Sequence, residues 1–287
     1  TEEEEILERC LGAEVIITNK TPLKKEILEK LTDLKYIGVL ATGYDVIDIE
    51  FARKKGIPVA NIPNYGSESV AQLVFAFILE FANKVHLHHQ SIKKGEWAEK
   101  NEFSYFKAPL MEVSGKTIGI IGMGAIGQQV AKIALGFNMK VLAFSRTKKD
   151  FLPEGEIEWV SLEELLKRSD FVTLHVPLTD KTENMINKKR ISLMKDTAYL
   201  INTSRGKLIV EEDLAEALKD NKIKGAALDV LSQEPPTEDN PMLKAKNCIL
   251  TPHIAWGTIE ARSRLMSIAY DNLKAFLEGK AVNVVNK

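Results

Sequence analysis

The stretch "IGIIGMGAIGQQVA" (118–131) limits the folds open to this chain more than any other feature. Its first half is apolar and reads as a buried strand, and its second half carries helical spacing. Gly122, Gly124 and Gly127 therefore fall in the turn from strand to helix. Such a turn uses each glycine differently. Gly122 permits the sharp bend, Gly124 leaves the backbone bare, and Gly127 lets the helix pack closely on the strand. The helix behind them presents N–H groups without intrahelical partners, from about Ala125 and Ile126, and the positive end of its dipole. The spacing predicts a dinucleotide pyrophosphate at this turn if strand–helix units surround it, and a bare tight turn if they do not.

The surroundings supply those units. From Lys116 onward, short apolar runs alternate with amphipathic patterns: "KTIGII" (116–121), "KVLAFS" (140–145), "DFVTLHV" (170–176), "AYLINT" (198–203), "GAALDV" (225–230) and "CILT" (248–251). The runs lack strict polar alternation, as strands buried on both faces do. Between them, Ser161 and Glu164 form a capping-box pattern opening "LEELLKR", and "EEDLAEALKD" places Leu214, Ala217 and Leu218 on one helical face. The alternation predicts an α/β fold with a parallel, doubly wound sheet.

The first part repeats the style more briefly. "AEVIIT", "KYIGVLAT" and "IPVANI" read as strands, with helices over "DIEFARKKG" and over "TPLKKEILEKL", where Thr21 is the expected N-cap and Pro22 the first helical residue. On this reading its sheet lacks a first strand. The chain begins on Thr1 rather than Met, as expected if its start has been lost. One long helix is expected from about Ser67 to Lys94. Another carries Ile259, Leu265, Met266, Ala269, Leu273 and Phe276. Placing the last helix back on the first part gives one domain of residues 1–66 and 258–287 and another of 67–257, with a cleft between them.

Bulk properties remove other classes. The 287 residues, 45% hydrophobic, are enough for two cores. Lys+Arg 39 against Asp+Glu 40 gives no basic excess for nucleic acid. Cys10 and Cys248 have neither zinc-ligand spacing nor a disulfide framework, so a reducing cytoplasm is expected. The run Val70–Ala82 contains Gln72 and Glu80 and is too short for a bilayer, and no signal-peptide pattern stands out. His86, His88 and His89 lack partners at ligand spacing and read as surface or interdomain residues, so no metal is expected.

About twenty residues beyond the glycine turn, an NAD-selective site carries an acid for the ribose hydroxyls. Here stand Ser145, Arg146, Thr147 and Lys148, a set suited to a 2′-phosphate, which favours NADP with NAD as the alternative. Ligands in open α/β sheets gather at the carboxyl ends of strands. Those ends read His175-Val176-Pro177, Thr203-Ser204-Arg205-Gly206, Asp229 with Glu234, and His253 with Trp256. Singly, each has an ordinary structural reading: Arg205 as a surface ion pair, Glu234 as a turn residue, His253 as a packing residue, Asp229 as a loop cap. Together on a cofactor-binding edge they point to catalysis on a small anion.

These motifs, "GMGAIG", "LHVPLT", "LINTSRGKLIVEEDL", "GAALDVLSQEP" and "LTPHIAWGT", resemble the D-isomer-specific 2-hydroxyacid dehydrogenases over essentially the whole chain. "GVLATGYD" and "TPHIAWGT…EAR" look closest to glycerate dehydrogenases, also called hydroxypyruvate reductases. The resemblance implies a Rossmann nucleotide domain inserted in a smaller flavodoxin-like substrate domain, a homodimer built through the nucleotide domain and its long helix, and Arg205, Glu234 and His253 as the catalytic set. In those roles Arg205 would hold the substrate carboxylate and His253 would exchange the hydroxyl proton. Glu234 would orient the imidazole and favour its charged form. Asp229 and the Thr203 carbonyl would fix the nicotinamide carboxamide, and backbone N–H groups over Ala41, Thr42, Gly43 and Tyr44 would complete the anion site. Trp256 would limit pocket size, and domain closure would exclude water. The rivals are reductases or dehydrogenases for glyoxylate, phosphoglycerate, lactate or a bulkier acid, and a non-catalytic dinucleotide sensor resembling a corepressor.

Overall fold

Three apolar segments of the first part form short parallel strands, β1 (Val15–Thr18), β2 (Tyr36–Val39) and β3 (Val59–Ala60), in the spatial order β1-β2-β3. The computed structural model describes residues 3–148 and 156–287. These strands belong to a unit that runs to Gly66 and resumes at Gly257. Its helix Ile49–Lys54 is capped by Asp48, whose Oδ1 accepts from Phe51 N at 2.9 Å.

The closing helix Ile259–Leu277 starts at Thr258, whose hydroxyl accepts from Ala261 N. Its Phe276 stacks on Tyr36 of β2 at 4.6 Å. The tail behind it is sewn to β3. Asn286 accepts from Val59 N and donates to Ile57 O, both at 2.8 Å. Two features of this unit depart from the sequence expectation. The helix after Thr21 spans only Lys25–Leu28, because fully buried Leu23 bridges Ile47 and keeps the chain extended; Thr21 is not its cap. Ile259 and Met266 lie on the exposed face of the closing helix, whereas Ala261 and Leu265 are buried.

The larger unit, Ser67–Trp256, holds a seven-stranded parallel sheet. Its strands are β4 (Thr117–Ile121), β5 (Lys140–Phe144), β6 (Ile157–Trp159), β7 (Phe171–Leu174), β8 (Tyr199–Asn202), β9 (Gly225–Leu228) and β10 (Cys248–Leu250). Their spatial order is β10-β9-β8-β7-β4-β5-β6. Every residue of β7, β8 and β9 is buried, because helices cover both faces. Alternate side chains serve the two cores. Phe171, Tyr199, Ile201 and Ala227 face the layer of Ser67–Asn83 and Ala125–Gly136. Val172, Leu174, Leu200 and Leu228 face the layer of Leu162–Arg168 and Glu211–Lys219. Ser161 caps the helix Leu162–Arg168 by accepting from Glu164 N at 3.2 Å.

The expected single helix from Ser67 to Lys94 is two, Ser67–Asn83 and Val85–Lys93, bent by 58° where Lys84 takes a φ of +51°. No single helix among the described residues is long and apolar enough to cross a membrane. The strand order reverses between β4 and β7, where one crossover leads outward to β5 and the other to β8. A crevice at the carboxyl ends of such a pair is where open α/β sheets bind ligands.

Candidate active site

The glycine turn opens into this crevice. Gly122 has a φ of +102°, and a Cβ there would lie 2.5 Å from the His175 carbonyl oxygen, so no other residue fits between the ends of β4 and β7. A Cβ on Gly127 would lie 2.0 Å from the Gly122 carbonyl oxygen, which is the close packing of helix on turn. Gly124 differs: a Cβ there meets nothing within 4 Å, so its bareness serves open space rather than packing. It is the N-cap of Ala125–Gly136 and offers no side-chain cap to the first N–H groups, those of Ala125 and Ile126 among them. A cradle bare of side chains at the head of a twelve-residue helix fits a dinucleotide pyrophosphate.

Two polar atoms beside it are buried without a partner among the described residues, His175 Nδ1 and Thr203 Oγ1. Leu174 pairs with Asn202, so these residues follow one another off the ends of neighbouring strands. The other ring nitrogen of His175 lies 2.9 Å from Thr173 Oγ1, and burial pushes the imidazole down to about 3. Val176 and Pro177 continue this edge; the Val176 carbonyl accepts from Ser204 Oγ at 2.7 Å. On the other side, Ser145 follows β5 and is half-buried, while Arg146, Thr147 and Lys148 are exposed. Arg146 and Lys148 make no ion pair among the described residues.

The catalytic candidates lie at the carboxyl ends of β8, β9 and β10, which are parallel neighbours. His253 Nδ1 lies 2.6 Å from Glu234 Oε2. An ionised carboxylate only accepts, so Nδ1 donates and Nε2 is left for a substrate. His253 itself has a φ of +54°. That conformation costs about 1–2 kcal/mol and is fixed by Asp229. The Asp229 carbonyl accepts from His253 N at 2.7 Å. Its buried carboxylate accepts from Thr251 Oγ1, Ile254 N and Ala255 N at 2.5, 2.9 and 2.8 Å. Asp229 thus holds the loop that carries the imidazole.

Half-buried Arg205 donates from Nη1 to Ser204 O at 2.8 Å, and Asn202 Nδ2 ties down its carbonyl at 2.8 Å. A Cβ on the next residue, Gly206, would lie 1.9 Å from the Leu231 carbonyl carbon. The Arg205 turn is therefore pressed against the loop bearing Glu234, whose Oε1 accepts from Leu231 N at 3.1 Å. Glu211 pins that loop from behind. It is buried and accepts from Ser232 N, Ser232 Oγ and Asn240 Nδ2 at 2.5, 2.9 and 2.7 Å. Glu211, Asn202 and Thr251 escaped the sequence reading, and Gly206 entered it only as part of the strand end Thr203-Ser204-Arg205-Gly206. Only Gly206 left a signal, a glycine directly after the arginine.

Trp256 is half-buried at the end of this unit. In the smaller unit the proposed anion loop needs one correction. The Ala41 amide is spent on Val39 O at 2.8 Å, whereas those of Thr42, Gly43 and Tyr44 have no acceptor among the described residues. The Thr42 hydroxyl donates to Ile62 O and holds the loop's shape. Of the clustered histidines, His86 and His89 are exposed. His88 bridges the Lys84 carbonyl at 2.8 Å and Lys107 N at 3.2 Å.

Comparison with known proteins identifies the family of the chain. Residues 75–255 match the family described as D-isomer specific 2-hydroxyacid dehydrogenase, NAD binding domain. The chain is 48% identical over 287 residues to a hydroxypyruvate reductase of Blautia hydrogenotrophica, covering 100% of this chain and 89% of that one. It is 44% identical to a glycerate dehydrogenase of Methylorubrum extorquens, covering 98% and 88%. A solved acyclic imino acid reductase (Bsp5) in complex with NADPH and D-Arg superposes with a TM-score of 0.89 at 38% identity, covering 99% and 89%.

Proposed function

The chain belongs to the D-isomer-specific 2-hydroxyacid dehydrogenases, and from that footing we propose how its residues reduce a small 2-keto acid, hydroxypyruvate or glyoxylate, to the D-2-hydroxy acid and catalyse the reverse reaction. The observation that carries the reading is the 2.6 Å contact of His253 with Glu234 on the strand edge that also bears Arg205. Arg205 pairs with the substrate carboxylate and polarises the C2 oxygen through charge-assisted bonds. His253 Nε2 gives its proton to that oxygen in reduction and takes it back in oxidation. Glu234 keeps a proton on Nδ1 and so leaves Nε2 to face the C2 oxygen. The amides of Thr42, Gly43 and Tyr44 are the smaller unit's donors for the same carboxylate, and Trp256 bounds the substrate's far end. When bound, the nicotinamide dinucleotide supplies the hydride.

Gly122, Gly124, Ala125, Ile126 and Gly127 hold the pyrophosphate, and His175, Val176, Pro177 and Thr203 line the nicotinamide half. Asp229 acts by positioning the His253 loop. For coenzyme choice we favour NADP. The names divide, since the matched family is described as NAD binding and the imino acid reductase is complexed with NADPH. The residues support NADP: Ser145, Arg146 and Thr147 give a 2′-phosphate a cation and two hydroxyls, and give a free ribose no carboxylate. A homodimer and a cytoplasmic location complete the proposal. Exposed Trp97, Phe103 and Phe106 after the bent helix pair support the first, and the reduced cysteines support the second.

Following coenzyme absorbance with hydroxypyruvate, glyoxylate, pyruvate and phosphohydroxypyruvate, each with NADPH and NADH, tests activity and coenzyme choice together. The expected result is fastest oxidation with NADPH and hydroxypyruvate or glyoxylate. No oxidation with any pair would overturn the enzyme reading in favour of a dinucleotide sensor.

A further inference from the structure

A cavity of about 390 Å³ opens at the amino ends of β8, β9 and β10, the end of the sheet opposite the catalytic edge. Its floor is aromatic: Phe81 and Tyr199 stack at 4.3 Å. Lys84, Lys224 and Lys246 line it, and each comes from a different junction. Lys84 follows the helix Ser67–Asn83, Lys224 precedes β9, and Lys246 lies just before β10.

The backbone of this rim is fixed. Lys84 N donates to Glu80 O at 2.9 Å and Lys224 N to Ala198 O at 2.8 Å. Asn247 Nδ2 donates to Lys224 O at 3.2 Å. None of the three ammonium groups has an ion-pair partner among the described residues. Lys84 Nζ rests over the Phe81 ring at 5.5 Å. The single acid in the lining, Glu80, accepts from His86 N instead. Lysines 35, 107, 188 and 195, by contrast, each meet a carboxylate.

A concave surface carrying three ammonium groups against one carboxylate, that of Glu80, has a net positive charge and concentrates anions. We propose that this cavity binds a small organic anion with at least two negative charges, carboxylate or phosphate, gripped by Lys84, Lys224 and Lys246 over the Phe81–Tyr199 floor. The site is separate from that of the coenzyme and the keto acid.

The test is calorimetric titration of the intact protein with citrate and with pyrophosphate, each against sulfate at equal ionic strength. The coenzyme site is kept saturated with NADPH so that pyrophosphate does not report on the glycine turn. The Lys224→Gln/Lys246→Gln protein, whose changes lie outside the catalytic machinery, should retain its turnover. Its affinity for the preferred probe should fall by at least about tenfold, the loss of one decade of binding. Whichever of citrate and pyrophosphate binds more tightly identifies the charged group. No binding of either, or equal binding by wild type and double variant, or sulfate matching both probes, would overturn the proposal.

Discussion

His253 is held at a φ of +54° by loop amides that donate to the buried Asp229, while its ring is aimed by Glu234. Strain of this kind persists only where the surroundings over-determine it. Arg205 is positioned by its backbone, through Asn202 and Gly206, and by its guanidinium, which donates to Ser204 O. Arg205→Lys should lower kcat/KM for keto acids by about ten- to a hundredfold, because an ammonium does not reproduce a bidentate contact. Coenzyme affinity, read by fluorescence titration, should not move, and unchanged kcat/KM would remove Arg205 from substrate binding. His175 tests burial itself. Although the residue is half-buried overall, its Nδ1 is sealed from solvent, and its pKa falls from 6.5 to about 3. Between those values the unfolded chain holds the extra proton, so this group costs stability as pH drops from 6.5, by at most about 1.4 kcal/mol per pH unit. Urea melts of His175→Gln should show a shallower loss of stability over that window, with no difference above pH 6.5; parallel acid slopes would contradict the burial.

At the scale of elements, glycines separate packing from ligand space. Gly206→Ala drives a Cβ into the Leu231 backbone and should cost about 1–3 kcal/mol or more in thermal melts. Gly124→Ala meets nothing and should melt like the wild type while weakening coenzyme binding. A Gly124→Ala protein with unchanged coenzyme affinity would move the pyrophosphate elsewhere. The buried strands were legible because both their faces are apolar, and the turn because its glycines keep a fixed spacing. Other features left little trace. β6 is a three-residue edge strand with only half-buried or exposed side chains, too short for a periodic pattern. The bend at Lys84 carries neither glycine nor proline, so no residue preference marks it in the sequence. Thr21 and Pro22 spell a helix start, but burial of Leu23 in a bridge outweighs the cap. Glu211 reads as an exposed first-turn acid until the Glu234 loop is seen to close over it.

For the molecule as a whole, the glycine turn, Arg205, Glu234 and His253 all belong to the Ser67–Trp256 unit, so their mutual geometry comes from one sheet. In the smaller unit the amides of Thr42, Gly43 and Tyr44 have no acceptor among the described residues. The site candidates were legible as a set because parallel strands deliver their carboxyl ends to one edge. The contacts that arm them were not, since Gly206 against Leu231 and Asp229 against Ile254 are tertiary. The most direct test of this account measures coenzyme binding and hydroxypyruvate reduction on the same preparations of wild type and His253→Ala. The account predicts an unchanged coenzyme Kd and a kcat lower by about two orders of magnitude or more; wild-type turnover in His253→Ala would contradict it.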